Sequence, residues 1–364
     1  MERKFWLGTG WKMNKTRAEA RAYAEALRAA PGLNELPLRL FVLPPFTALA
    51  EVAAALAGSG VMVGAQNCHW ASAGAWTGEI SAPQIAECGA ALVELGHSER
   101  RAHFGETDVA INAKVKAVLA AGLRPLVCVG ETAEERALDA ATVTVARQAR
   151  MALAGVAAAD LDRVLLAYEP VWAIGEGRRA GLARLCADAI HGALQNAVLD
   201  LHGRAVPVLY GGSVNAANAE ALAGRAAIDG LFVGRAAWTV EGLIGLARAI
   251  TPIVEARPHA QIVPIAAEHR ARWQELFQGY ATFYKRELTD AHAGGLGLAQ
   301  GPGHELEGGS LWSTAGLSAS PISAACRGPL RGADISFLDD LFVDPGTARA
   351  PEASAGNFPI RRWP

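Results

Sequence analysis

The chain is poor in the features that mark several large protein classes. Its 364 residues include five cysteines, Cys68, Cys88, Cys128, Cys186 and Cys326, with no two in a C-x-x-C pair. An odd, unpaired set offers no disulfide framework and fits a reduced, cytoplasmic protein, with Cys68 and Cys128 read as small buried hydrophobes. No apolar run approaches the roughly 18 residues of a membrane span. The apolar run that follows Met1–Lys4 is too short for the core of a secretory signal. Lysine plus arginine number 34 against 36 acidic residues, a net charge of −2. That balance leaves no electrostatic footprint for nucleic acid or a membrane surface. No G-x-G-x-x-G follows the first strand-like run, which argues against a dinucleotide-binding sheet.

What is present is alternation. Strand-like runs occur at 5–9, 39–43, 61–65, 91–95, 125–129, 164–167, 206–209 and 230–233. Between them lie Ala/Leu/Arg/Glu-rich stretches with apolar residues at three- and four-residue spacing, as at 17–30, 108–121, 134–153 and 183–201. Thr47, Ser81, Thr107, Thr132 and Asn215 stand where N-caps are expected. Strict βα alternation implies a parallel sheet. Eight such units in about 250 residues predict a closed (β/α)8 barrel, whose chemistry sits on the loops after the strand C-termini.

Those loops carry reactive groups. The first holds "GTGWKMNK", with Gly10 and Lys12; the fourth holds "GHSERR", with His97 and Glu99. The sixth reads "YEPVWAIGEG", with Glu169 at a strand end and Gly175 in a stretch able to hinge. The seventh and eighth supply Gly212 with Ser213, and Gly234 with Arg235. A carboxylate shielded from water gains basicity and can take a carbon-bound proton. A neutral imidazole can polarise a carbonyl, and a lysine can offset developing negative charge. Glycine-rich turns after the last two strands are the usual phosphate site of such barrels. The set predicts proton shuttling beside the carbonyl of a small phosphorylated sugar, under a mobile lid, and the sequence offers no cluster of metal ligands or cofactor motif.

In addition to those loops, "GAQNC" at 64–68, "TGEIS" at 77–81 and "CVGET" at 128–132 follow in the same order. With them, residues 4–250 resemble the triosephosphate isomerase family. The resemblance implies a TIM barrel, with Glu169 as base, His97 as electrophile, Lys12 as charge-stabilising cation and Glu99 as supporting carboxylate. It implies phosphate contacts from Ser213, Gly212, Gly234 and the backbone near Gly175. It also implies a homodimer in which loop 68–80, carrying Thr77, reaches into the partner.

Four positions depart from that family's pattern. Gly10 stands where an asparagine is usual. The lid reads Glu176-Gly177-Arg178-Arg179 in place of a small hydroxyl residue, glycine and lysine. Arg235 replaces a glycine, and its guanidinium can pair with a phosphate. Trp238 is a bulky residue soon after. With base, electrophile and lysine retained, these changes predict an altered substrate. The "GT-small-WKMNK" opening resembles the branch that interconverts L-erythrulose 1-phosphate and D-erythrulose 4-phosphate in tetritol catabolism. The competing expectations are a glycolytic and gluconeogenic triosephosphate isomerase and a non-catalytic barrel that binds sugar phosphates.

Beyond residue 252 the texture changes. Pro252, Pro258 and Pro264 mark the junction between a barrel at 1–252 and an extension at 253–364. Residues 265–288 read as a helix, and 291–333 as a Gly/Ser/Ala-rich linker or disordered chain. The stretches 262–288 and 335–345 resemble fragments of the acetyl-CoA-dependent acetyltransferases. The turn that would hold the CoA pyrophosphate is missing after Pro345, so a degenerate fragment is expected there.

Overall fold

Side chains alternate across each short strand, and the chain uses both faces. One set, including Trp6, Phe41, Leu43, Leu92, Leu126, Cys128, Leu165, Ala167, Leu209 and Phe232, packs as a separate inner core. The other set, with Leu7, Leu40, Val42, Val93, Leu95, Val127, Leu166 and Val208, joins the apolar stripes of the helices in an outer layer. Strands buried on both faces need parallel neighbours covered by helices, and a closed ring has no exposed edge. The computed structural model describes residues 5–173 and 180–257, together with 260–264, 305–313 and 320–327.

The ring is built from β1 (Phe5–Gly10), β2 (Leu38–Leu43), β3 (Met62–Ala65), β4 (Leu92–Leu95), β5 (Arg124–Val129), β6 (Leu165–Tyr168), β7 (Val208–Tyr210) and β8 (Gly230–Val233). All are parallel to their neighbours, and β8 pairs with β1 to close the barrel. The expected strands are all present, with ends moved by one or two residues. Helices α1 (Arg17–Arg28), α2 (Leu49–Leu56), α3 (Ala82–Glu87), α4 (Ser98–Phe104) and α5 (Asp108–Ala120) follow the first four strands. After β5 to β8 come α6 (Ala133–Ala137), α7 (Ala141–Leu153), α8 (Ala180–His202), α9 (Ala219–Ala223) and α10 (Val240–Glu255).

Three local expectations are corrected. The helix expected over 134–153 is two helices, because Asp139 takes a left-handed conformation (φ 56°) and ends α6. Thr47 caps nothing: it lies inside a 3₁₀ turn at Phe46–Ala48, and α2 begins after Ala48 without a side-chain cap. Asn215 is not the N-cap of α9 either. Its side chain accepts from the Ala217 amide at 2.9 Å, and the helix starts after Asn218. Thr107 and Thr132 do accept from the third residue of their helices, and the Ser81 amide donates to Gln84 Oε1 at 2.9 Å.

The chain forms two compact units, Met1–Arg257 and Pro258–Pro364. The first runs past residue 252 because α10 continues through Pro252, and its end is tied down by Arg257. That guanidinium donates to the carbonyls of Ile228, Arg225 and Ala226 at 2.8–3.0 Å. In the second unit, β9 (Ala260–Pro264), β10 (Glu305–Ser313) and β11 (Ser320–Arg327) form an antiparallel sheet in the order β11-β10-β9. Two of these strands fall where a linker was expected. They carry no period-two pattern; backbone pairing defines them, and Pro264 and Pro321 sit on its two edge strands, where a missing N–H is tolerated. The stretches 265–288 and 335–345 lie outside the described residues. Among the described residues, no helix is long and apolar enough to cross a membrane.

Candidate active site

The ends of four strands bring the reactive groups together. After β1 the chain turns through Trp11, whose buried indole stands edge-on to Tyr23 with ring centres 4.8 Å apart. Lys12 then adopts φ 52°, a conformation that costs a non-glycine residue about 1–2 kcal/mol. Gln66, at the end of β3, holds it there: its amide nitrogen donates to Lys12 O at 3.0 Å and Leu43 O at 2.9 Å. This aims the ammonium at the barrel mouth, where Nζ lies 2.5 Å from Glu99 Oε1. Gln66 was not singled out from the sequence, although it lies inside the quoted "GAQNC".

His97 ends the β4 loop and is the N-cap of α4. Its loop is fixed from outside by Arg101, whose Nε donates to Gly96 O at 2.8 Å, and by Glu106, which accepts from the Gly96 amide at 3.1 Å. The Nδ1 atom accepts from the Glu99 amide at 3.1 Å, and Nε2 lies 3.1 Å from Glu169 Oε1. Glu169 follows β6 and is buried, its amide donating to Val129 O at 2.8 Å. Gly130 is required for that approach, because a Cβ there would stand 1.8 Å from the Glu169 carbonyl oxygen. The second carboxylate oxygen, Oε2, accepts from the Ser98 amide at 3.1 Å.

The two groups shift one another. Burial raises the proton affinity of Glu169, but His97, the Ser98 amide and Lys12 outweigh it and hold the carboxyl below its usual value. Burial lowers His97 and the Glu169 carboxylate raises it, with Glu94 adding to the rise and Lys12 opposing it; these influences would leave the imidazole at about 9. The Glu99 amide contradicts so high a value. It donates to an Nδ1 lone pair that an imidazolium no longer has, and the first turn of α4 adds positive potential. The geometry therefore favours a neutral ring with its proton on Nε2, hydrogen-bonded to an ionised Glu169.

Behind the base lies a second buried carboxylate, Glu131. Its Oε1 accepts from the Tyr168 hydroxyl at 3.1 Å and from Trp172 Nε1 at 2.7 Å, bracing the start of the lid. Gly175 and residues 176–179 lie outside the described residues. On the far side, Gly212 packs where a Cβ would meet the Tyr210 hydroxyl at 2.5 Å, so only glycine fits the turn. Ser213 is partly exposed beside it, its carbonyl held by Asn218 Nδ2 at 2.8 Å. Gly234 opens a 3₁₀ turn at Arg235–Ala237, and the Arg235 side chain is exposed at the mouth. Trp238 is half-buried, and its indole Nε1 donates to Gly10 O at 2.9 Å.

Sequence reasoning missed one group inside the barrel. Glu94 occupies an inward position of β4, two residues after Leu92, and is 5% exposed. The signal was a charged residue at an inward register position of an otherwise apolar strand. Burial pushes its carboxyl up to about 7, with Glu169 adding to the rise and His97 and Lys12 opposing it. Among the described residues, Glu94, Cys128 and Glu169 are the one set of metal-type donors that converge, within 4.8 Å. They make a poor cation site: burial drives the Cys128 thiol far above its usual value, and Glu169 is already engaged by His97 and Ser98.

A strained lysine, a capping histidine and a buried glutamate on the ends of β1, β4 and β6 can move a proton between adjacent carbons. The triosephosphate isomerase family matches the chain over residues 5–250. The chain belongs to the triosephosphate isomerase family. Its membership makes it a sugar-phosphate isomerase. It is 50% identical over 252 residues to an L-erythrulose-1-phosphate isomerase of Brucella abortus, covering 69% of this chain and 98% of that protein. An L-erythrulose-1-phosphate isomerase of Rhizobium rhizogenes is 47% identical over 244 residues, covering 67% of this chain and 93% of its own length. A solved triosephosphate isomerase from Bartonella henselae superposes with a TM-score of 0.60 at 32% identity, covering 67% of this chain and 99% of that one.

Proposed function

We propose that the chain interconverts L-erythrulose 1-phosphate and D-erythrulose 4-phosphate through an enediolate. The observation that carries the reading is the retained Glu169–His97–Lys12 set around a first-strand position, Gly10, that has lost its side chain. The names of relatives at about half identity support the same substrate.

The mechanism follows from the groups in place. Glu169 leaves Ser98 and His97 and takes the proton from C3. The C3–H electron pair becomes the C2–C3 double bond, and the C2 carbonyl oxygen takes up negative charge. His97 Nε2–H stabilises that charge and hands its proton to O2, then receives one from O3. Glu169 returns its proton to C2, which leaves the carbonyl at C3. A Glu base with a neutral His electrophile is the known pairing of triosephosphate isomerase itself. Lys12, beside Glu99, offsets the enediolate and phosphate charge. Gly212, Ser213, Gly234 and Arg235 form the phosphate end, with the backbone near Gly175 closing over it.

The active form is a homodimer. Loop 68–80 presents exposed Trp70 and Trp76 stacked on His69, with ring centres 4.1 and 4.3 Å away. A depression lined by Met13, Asn14, Lys15, Thr16, Pro45 and Thr47, with Met13 fully exposed, offers the receiving surface. Side-by-side turnover of L-erythrulose 1-phosphate and dihydroxyacetone phosphate tests the substrate. A clear four-carbon preference is expected; a three-carbon preference assigns the chain to triosephosphate isomerisation. Absence of solvent-deuterium exchange into either ketose would reduce it to a binding protein.

A further inference from the structure

Glu94 is a buried carboxylate inside the barrel, close to Glu169, that the proton relay does not use. A buried carboxylate is normally met by strong donors, and leaving one short of them costs free energy. Among the described residues the only donor to Glu94 is the Cys128 thiol, 3.7 Å from Oε1. Its other oxygen, Oε2, faces Gly10: a Cβ built on that glycine would stand 3.7 Å from Oε2 and 3.3 Å from the Phe232 ring. The missing side chain and the under-used oxygen thus border the same space. The Trp238 indole donates to the Gly10 carbonyl at 2.9 Å and so fixes the backbone on that side.

The location is also chemically suitable. Glu94 lies within ligand-atom distance of Glu169, the base that must reach the reacting carbon. The phosphate end is formed after β7 and β8, whereas Glu94 sits on β4, across the ring. A four-carbon ketose phosphate differs from a three-carbon one by a carbon at the end remote from phosphate, bearing a terminal hydroxyl.

We propose that Glu94 is a specificity-determining residue whose Oε2 hydrogen-bonds the terminal hydroxyl of the four-carbon substrate in the space left by Gly10. The inference rests on the four-carbon reading above and names the contact that produces it. A three-carbon substrate ends short of Glu94 and leaves it unpaired. A site built to bind a hydroxyl discriminates strongly against the analogue that lacks it. The elevated proton affinity of Glu94 suits the task, since a carboxyl can donate to the hydroxyl and a carboxylate can accept from it.

The test compares kcat/KM for L-erythrulose 1-phosphate and dihydroxyacetone phosphate in the wild type, Glu94→Leu, Glu94→Gln and Gly10→Ala. In Glu94→Leu the four- to three-carbon ratio is expected to fall on the order of 10²-fold, mainly through KM for the longer substrate. Glu94→Gln, which keeps an acceptor, stays within about tenfold of the wild type. Gly10→Ala keeps the Glu94 carboxylate but sets a methyl group 3.7 Å from its Oε2, where the hydroxyl would sit, and lowers the ratio as well, so it decides the matter should Glu94→Leu not fold. An unchanged ratio in Glu94→Leu or Gly10→Ala, or an equal fall for both substrates, overturns the role of Glu94 and leaves the four-carbon activity standing. A wild type that prefers the three-carbon substrate overturns both.

Discussion

Replacing Glu169 by glutamine separates the chemistry of the site from its architecture. The amide is nearly isosteric, and its oxygen can take over the bond from the Ser98 amide, now 3.1 Å to Oε2. What it cannot do is accept a proton from carbon. General-base catalysis is worth roughly 10²–10⁴-fold, or about 3–5 kcal/mol of barrier. Glu169 sits away from the phosphate end, so the loss is expected in kcat with little change in KM. Stability should fall only slightly. Glu169 is an ionised carboxylate only 3% exposed, and its desolvation offsets much of its attraction to His97, so its neutral replacement costs little. His97 gives a second readout. Once the neighbouring charge is gone, burial, Lys12 and the Glu99 amide act against Glu94 alone, so the imidazole titrates lower than in the wild type. Single-turnover kinetics, thermal melts and ring-nitrogen NMR titration measure the three effects. A variant that loses less than about tenfold in kcat would refute Glu169 as base. A variant whose His97 titration matches the wild type would refute the electrostatic account of the pair.

Two further outcomes are expected. The folded-state pKa of Glu94, about 7, lies above its ordinary 4.5, so the native chain holds a proton that the unfolded chain releases first. Stability from this group is therefore full below pH 4.5 and lost as pH rises towards 7, by up to about 3 kcal/mol. Urea titrations at pH 5 and 8 should show the wild type losing stability relative to Glu94→Gln; the opposite sign would refute the assignment. Truncation after Arg257 should retain isomerase activity, whereas truncation after Ala256 removes three bonds to barrel carbonyls. The shorter form should be less stable by about 1–3 kcal/mol in urea unfolding, and equal stability would show that Arg257 anchors nothing.

The barrel was legible because parallel strands buried on both faces write continuous apolar runs, and eight of these separated by helical stretches leave few topologies. Glu169, His97, Lys12 and Glu99 were legible for the same reason: each directly follows or adjoins a strand end, where a barrel keeps its chemistry. Their contacts were not, since the distance from His97 to Glu169 depends on closure of β4, β5 and β6 around a shared centre. Glu94 was hidden by its own strand, where one acidic residue among Leu92, Val93 and Leu95 looks like noise until the ring turns it inward. The sequence could not show that the Trp238 nitrogen meets Gly10, because that contact joins the two ends of the barrel through closure of β8 on β1. Helix ends failed where short-range chemistry decided, as with Asp139 and Asn215, whose local hydrogen bonds compete with the helix.

The bond from Trp238 to the Gly10 carbonyl links residues 228 positions apart and ties the turn after β8 to the end of β1. An asparagine placed at position 10 would arrive against Phe232 and Glu94, with its backbone already clamped by an indole. The Phe232 ring, at 3.3 Å, has to give way before any side chain fits there. Position 10, Phe232, Glu94 and Trp238 thus form one packed unit, in which a change at one is set by the other three.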